Sequence, residues 1–216
     1  MTPISKRDNS SYFMATPVDD LHALDDGAEP QPWGSPRLPV GRWAVDAERS
    51  SISFTARHLL VTKVRGTFSS VHGTIDVAAD PFHSSVEAVA EVASLSTGDS
   101  ARDGHLVSAD FFDAERWPHM TLTGSGLRSS GERYLLDAVM TIRNVSRIVP
   151  FVVTASAPPL APDGSDGPQR FARFTALATV NRKDFGLRWN AAIETGGVVV
   201  GDMIDLHLDV VATPHG

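Results

Sequence analysis

A chain of 216 residues with 42% hydrophobic and 21% charged side chains holds enough apolar material for a sizeable core and is not disordered throughout. Its 19 Lys and Arg against 26 Asp and Glu give a formal charge of −7, without the basic footprint that binding a phosphate backbone needs, so no nucleic-acid partner is expected. The absence of Cys removes disulfides, thiolate zinc sites and cysteine nucleophiles, and no stretch reaches the roughly 18 consecutive apolar residues of a spanning helix.

Residues 1–40 contain Pro3, Pro17, Pro30, Pro32, Pro36 and Pro39, with six Asp and Glu against three Lys and Arg. Their longest apolar run, Tyr12 to Ala15, is far shorter than the roughly 7 to 15 residues of a secretory signal core. The segment reads as a disordered, acidic, Pro-rich tail, and the protein as cytoplasmic. Removing the tail's −3 from −7 leaves −4 for residues 41–216, which read as one domain.

From Trp43 onward the hydrophobic period is two, the period of a strand with one buried face. Ile52, Phe54 and Ala56 share one parity. So do Leu136, Ala138, Met140 and Ile142; Val149, Phe151 and Val153; and Ile204, Leu206, Leu208 and Val210. Ser129-Ser130-Gly131 separates Met120–Leu127 from Tyr134–Ile142, and the Pro/Asp/Gly run 162–168 separates Ile148–Ser156 from Phe171–Val180, so each pair is expected to be antiparallel. Between them, Ser100-Ala101-Arg102-Asp103 has a hydroxyl cap with a carboxylate three residues on, the start of a short helix. Phe111, Phe112 and Trp117 follow, and Pro118 ends this helical insert. About eight strands are too many for one flat sheet of this size. The expected fold is all-β, a closed eight-stranded antiparallel barrel with a short helical insert.

The inward parities are apolar, so the lumen is either filled by its own side chains or holds a hydrocarbon guest. Small residues among them, Ala56, Gly66, Gly124 and Ala138, would leave room for one. Catalytic motifs are missing. No two His stand at the four-residue helical spacing of a zinc pair, although His58, His105 and His119 could converge in space, and no structural metal is expected. Gly-x-Ser-x-Gly, phosphate-loop and calcium-loop patterns are also missing, and the insert's Asp99, Asp103, Asp110 and Asp113 read as helix-capping residues. Arg57, Lys63, Arg65, Arg102, Arg182, Lys183 and Arg188 fall near strand ends, where they are either solvated or hold an anionic head group.

Several segments together resemble the YceI-like, polyisoprenoid-binding protein family. They are Gly41–Asp46, Ser51–Phe54 with Ala56–Leu59, Val64–Phe68 and Gly73–Asp76 near the start. In the centre stand Ser96-Thr97-Gly98, Arg102–Leu106, Asp110–Asp113 and Trp117-Pro118, followed by Met140–Ser146 and Asn181–Leu187. The resemblance covers roughly residues 41 to 213 and leaves the tail outside. It implies a lipocalin-like barrel holding an isoprenoid chain or similar amphiphile in an apolar pore, without named catalytic residues; dimers also occur in such a family. Carried over by position, Arg102, Asp103, His105 and Leu106 with Phe111 and Phe112 are the matched residues of the insert. They either anchor and cap the helix or line the pore entrance.

The expectation is a non-catalytic carrier with no cofactor beyond its bound isoprenoid or fatty-acyl lipid. Its ligand-binding residues would be Ile52, Phe54, His58, Phe68, Arg102, His105, Leu106, Phe111, Phe112, Leu136, Met140, Ile142, Leu206 and Leu208. This reading leaves room for transient membrane contact and for a homodimer. The competing readings are an enzyme using His58 or His105 as base with an insert carboxylate orienting it, and an interaction module with a filled barrel whose tail recruits a partner.

Overall fold

The computed structural model describes residues 38–58, 62–130, 133–156, 171–190 and 200–215, with the side chains of His58 and Ser130 left out. The expected tail as far as residue 37, the 162–168 turn and Gly131 lie outside the described residues. Twelve strands form one antiparallel sheet that closes on itself. Three staves at the start are broken in two: β1 (Gly41–Val45) with β2 (Ser51–His58), β3 (Thr62–Phe68) with β4 (Val71–Val77), and β5 (Ser85–Glu91) with β6 (Leu95–Ser96). After helix α1 (Ser100–Val107), β7 (His119–Ser125) and β8 (Arg128–Ser130) form a fourth broken stave. Four unbroken strands follow: β9 (Arg133–Ile142), β10 (Val145–Ser156), β11 (Ala172–Asn181) and β12 (Val200–Pro214). β12 closes the ring by pairing with β2 through Val200–Asp209 and with β1 through Ala212–Pro214. The result is the expected closed eight-stranded antiparallel barrel with one short helix.

Two of the breaks have a local cause. Between β1 and β2, Ser50 is buried and its Oγ donates to Val211 O at 3.2 Å while accepting from Val211 N at 3.0 Å. The hydroxyl therefore stands in for the backbone rung lost at the bend. Between β7 and β8 the chain turns at Gly126, whose φ of 75° suits a residue without Cβ. Ser129 and Ser130, read from the sequence as turn residues, instead pair with Tyr134 and Arg133, so the strand runs on to the end of the hairpin. The expected pairings of β7 with β9 and of β10 with β11 are both present.

The register puts the four apolar parities on one face. Ile52 lies opposite Leu208, Phe54 opposite Leu206, Leu136 opposite Phe151 and Ala138 opposite Val149. Because side chains alternate, this row can only be the inner wall. A core of Phe68, Leu95, Ala138, Ile142, Phe151, Val180, Phe185 and Leu206 fills much of the barrel. A smaller cluster around Trp43, Ile75, Val77, Ala172, Phe174 and Ala212 stands where β1, β4, β11 and β12 meet.

Candidate functional site: an apolar cavity and the insert that faces it from the other end

The barrel has two different ends. At one end lie the β2–β3 connection, the insert 97–118, the β9–β10 turn and the segment after β11; at the other lie the 78–84 turn, the β8–β9 turn and the shared ends of β10 and β11. A cavity occupies the half toward the 78–84 turn. Its volume is about 100 Å³. Eighteen of the described residues line it, and among them only Ser84 and Ser85 are polar. Ser84 is itself buried, and its Oγ already accepts from Ala78 N at 3.1 Å. Among the described residues no ionisable side chain borders the space. Removing a hydrocarbon from water is its evident chemistry.

Of the sequence-predicted ligand residues, Ile52, Leu136 and Leu208 line this cavity. Phe54, Phe68, Phe112, Leu106, Met140, Ile142 and Leu206 pack in the filled core beside it. Phe54 and Phe68 have ring centroids 5.7 Å apart, and Phe68 meets Phe112 edge-on at 5.7 Å. This chain of rings belongs to the filled part of the core, between the cavity and the insert. The small residues expected to leave room do not border the cavity. The ring of Phe54 fills the space a side chain would take at Gly66, and Leu136 and Ala138 would stand 3.1 Å from a Cβ at Gly124, so neighbours use the space. Val71, Val77, Val86, Ala88, Phe174 and Ala176 also line the cavity and were missed. Their signal was available as the same alternation in 71–77, 86–90 and 172–180.

The insert closes the opposite end. Asp99, one residue before the expected cap, accepts from Arg102 N at 3.0 Å, because it is Asp99 that keeps extended backbone angles (φ −135°, ψ 107°). Asp103 instead ties the helix back to β6: it accepts from Thr97 N at 2.8 Å, from Thr97 Oγ1 and from Ser96 Oγ at 3.3 Å. These bonds, Thr97's hydroxyl first, hold its carboxyl below the ordinary range. A depressed carboxyl contributes stability that is complete above its unfolded value near about 4 and is lost as pH falls through the folded value. Asp103→Asn should therefore lower thermal stability at pH 6, with the gap from the parent chain closing below about pH 4. Parallel curves down to about pH 3 would remove Asp103 from this role.

Arg102 pairs with no carboxylate. It donates from Nε to Thr97 Oγ1 at 2.7 Å and from NH2 to Thr97 O at 3.1 Å. Phe111 is buried, and His105 stands edge-on to Phe111 at 5.3 Å and to Trp189 at 4.5 Å. His105 Nε2 lies 3.1 Å from an Asp110 oxygen, the base-and-carboxylate pair the enzyme reading requires, but the pair does not border the cavity. His58 sits at the end of β2 opposite Thr62, and its side chain lies outside the described residues. Among the described residues no three His, Asp or Glu converge on a metal-sized site.

Two arginines fix this end. Arg143 takes φ 57° in the β9–β10 turn and donates to Phe111 O at 3.3 Å, with Asp113 3.7 Å away. Arg182, only 4% exposed, spreads its guanidinium over Gly201 O (2.9 Å), Leu187 O, Trp189 O (2.9 Å), Val200 O (3.3 Å) and Asp202 Oδ1 (3.3 Å). Burial pushes its pKa down while Asp202 opposes the shift. An arginine stays charged regardless.

Comparisons with known proteins place these features. The model of the YceI-like domain family matches residues 43–212. The UPF0312 protein SAS2572 of Staphylococcus aureus (strain MSSA476) is 31% identical over 158 residues, covering 72% of this chain and 88% of the relative. Among solved structures, Burkholderia cenocepacia BcnA superposes with a TM-score of 0.65 at 21% identity, covering 78% of this chain and 99% of its own. A polyisoprenoid binding domain from Saccharophagus degradans does so at 0.58 and 16% identity, covering 80% of this chain and 98% of its own. Those structural likenesses carry the barrel fold. The family match runs from the Trp43 of β1 to the Ala212 of β12, the span of the closed barrel itself, and this chain belongs to the YceI-like domain family.

Proposed function

We propose that this chain is a non-catalytic binding protein that encloses part of an isoprenoid or other long-chain lipid in its barrel and shields it from water as a carrier. The observation that carries the reading is the cavity wall: sixteen of its eighteen described lining residues are apolar, and none of the eighteen is ionisable. Each methylene moved from water into such a wall contributes about 0.8 kcal/mol, and the gain needs no directional contact. The wall supplies almost no directional contact, which suits a hydrocarbon and not a small polar substrate. The polyisoprenoid binding domain of Saccharophagus degradans, which shares the fold, supports an isoprenoid as the guest.

Extraction of the purified full chain with organic solvent, followed by mass spectrometry, tests this. Recovery of a prenyl or acyl compound in reproducible ratio to protein is expected. Repeated recovery of nothing, together with no binding of added prenyl and fatty-acyl compounds, overturns it.

A further inference from the structure

The cations of this chain divide sharply. Arg42, Arg49, Arg128, Arg143, Arg173, Arg182 and Lys183 each face a carboxylate. Arg102 and Arg147 donate to Thr97 and to Ser146 O, and Arg116 lies over the ring of Trp117. Arg133 is also engaged. Among the described residues, four exposed cations have no such side-chain partner: Arg57, Lys63, Arg65 and Arg188.

All four stand at the insert end. Arg57 and Lys63 lie directly opposite each other on β2 and β3, and Arg65 is opposite Thr55 two residues further along the same outer face. Arg182 ties the carbonyls of Leu187 and Trp189, which flank Arg188, to those of Val200 and Gly201, and Gly201 lies against Arg57. Two of the acids on the adjoining strand stand toward this end. Asp202 is held by Arg182 and Lys183, and Asp205, opposite Thr55, accepts from Thr179 Oγ1 at 2.9 Å. Like charges placed opposite one another on a sheet are unfavourable, and among the described residues no ion pair relieves the repulsion between Arg57 and Lys63.

We propose that this outer face of the β2–β3 hairpin docks the barrel on an anionic lipid surface, whose head groups supply the missing negative charge. The net charge of −7 does not oppose this at close range, because the Debye length at physiological salt is about 8 Å. A bilayer fits better than a discrete anion. The four cations are spread over two strands and a neighbouring segment instead of converging on one point, as a site for a single phosphate would require. The inference goes beyond the ligand reading and does not depend on it, since none of the four residues borders the cavity.

The test is flotation of the full chain with vesicles of phosphatidylcholine alone and with about one third phosphatidylglycerol. Binding to the anionic vesicles only, weakened by salt, is expected. Each basic residue near a charged surface is worth about fivefold, so Arg57→Gln with Lys63→Gln and Arg65→Gln should weaken it about a hundredfold. The unfolding midpoint and any extractable lipid serve as controls for folding. Equal partition onto neutral vesicles, undiminished binding by the folded triple variant, or binding to a polyanion such as heparin without any to anionic vesicles would each overturn the proposal. Loss of extractable lipid with vesicle binding intact would instead count against the cavity reading alone.

Discussion

Arg182→Ala is expected to lower the midpoint of thermal unfolding by about 10 °C. The side chain is 4% exposed and its donors go to four backbone carbonyls and Asp202, so Ala takes a charged donor from each of those carbonyls, of which Val200 O keeps Asn190 Nδ2 at 2.7 Å. Breaking such a buried charged network costs about 3–5 kcal/mol, and each kcal/mol moves the midpoint of a chain of this size by about 2–4 °C. Arg182→Lys should recover little, because one ammonium cannot reach carbonyls on both Leu187 and Gly201 as the planar fork does. Lys183 keeps Asp202 paired at 2.7 Å in either variant, so the loss reports on the carbonyls and not on the carboxylate. Differential scanning calorimetry decides the point, and a fall of less than about 3 °C for Arg182→Ala would show that water or backbone rearrangement replaces the fork.

Ala176→Phe should abolish lipid binding while leaving the barrel folded. Ala176 lies on the inner face of β11 between Val153 and Leu208, and all three border the cavity. An added ring there takes the room of about four methylenes of guest, a loss near 3 kcal/mol or about a hundredfold in affinity. Because the ring enters empty space, the unfolding midpoint should stay within a few degrees of the parent, as overpacking penalties arise only where no space exists. Val139→Phe is the control: Val139 is 41% exposed on the outer face of β9 and should leave binding unchanged. Titration with a fluorescent prenyl or fatty-acyl probe separates the two. Equal affinity in Ala176→Phe and the parent chain would place the guest elsewhere.

The barrel was legible because alternation fixes which face a residue takes once a sheet closes. Ile52, Leu136 and Leu208 could be assigned inward from parity alone. Parity says nothing about height along the barrel axis, however, and height separates the cavity from the filled core. Phe54 and Leu206 share the inward face with Ile52 and Leu208, yet they pack against Phe68 and the insert while the other two border open space. Gly66 shows the same limit from the other side, since a missing side chain on β3 is filled by the Phe54 ring from β2. Helix α1 could be located from Ser100 to Asp103, but its cap is Asp99 and not the Ser100 hydroxyl, because Asp99 keeps extended backbone angles while Ser100 already lies in the helix. The basic residues near strand ends were equally ambiguous in sequence. Arg182 is spent on carbonyls, Lys183 on Asp202 and Arg102 on Thr97, which leaves Arg57, Lys63, Arg65 and Arg188 exposed without side-chain partners among the described residues.

A crystal structure of the protein grown with a prenyl alcohol tests the central claim most directly. Continuous elongated density running between Ile52, Leu122, Leu136 and Ala176 toward the Ser84–Ser85 end is the predicted result. Inner side chains collapsed across that space, or the compound seated against the insert with the cavity unfilled, would contradict it.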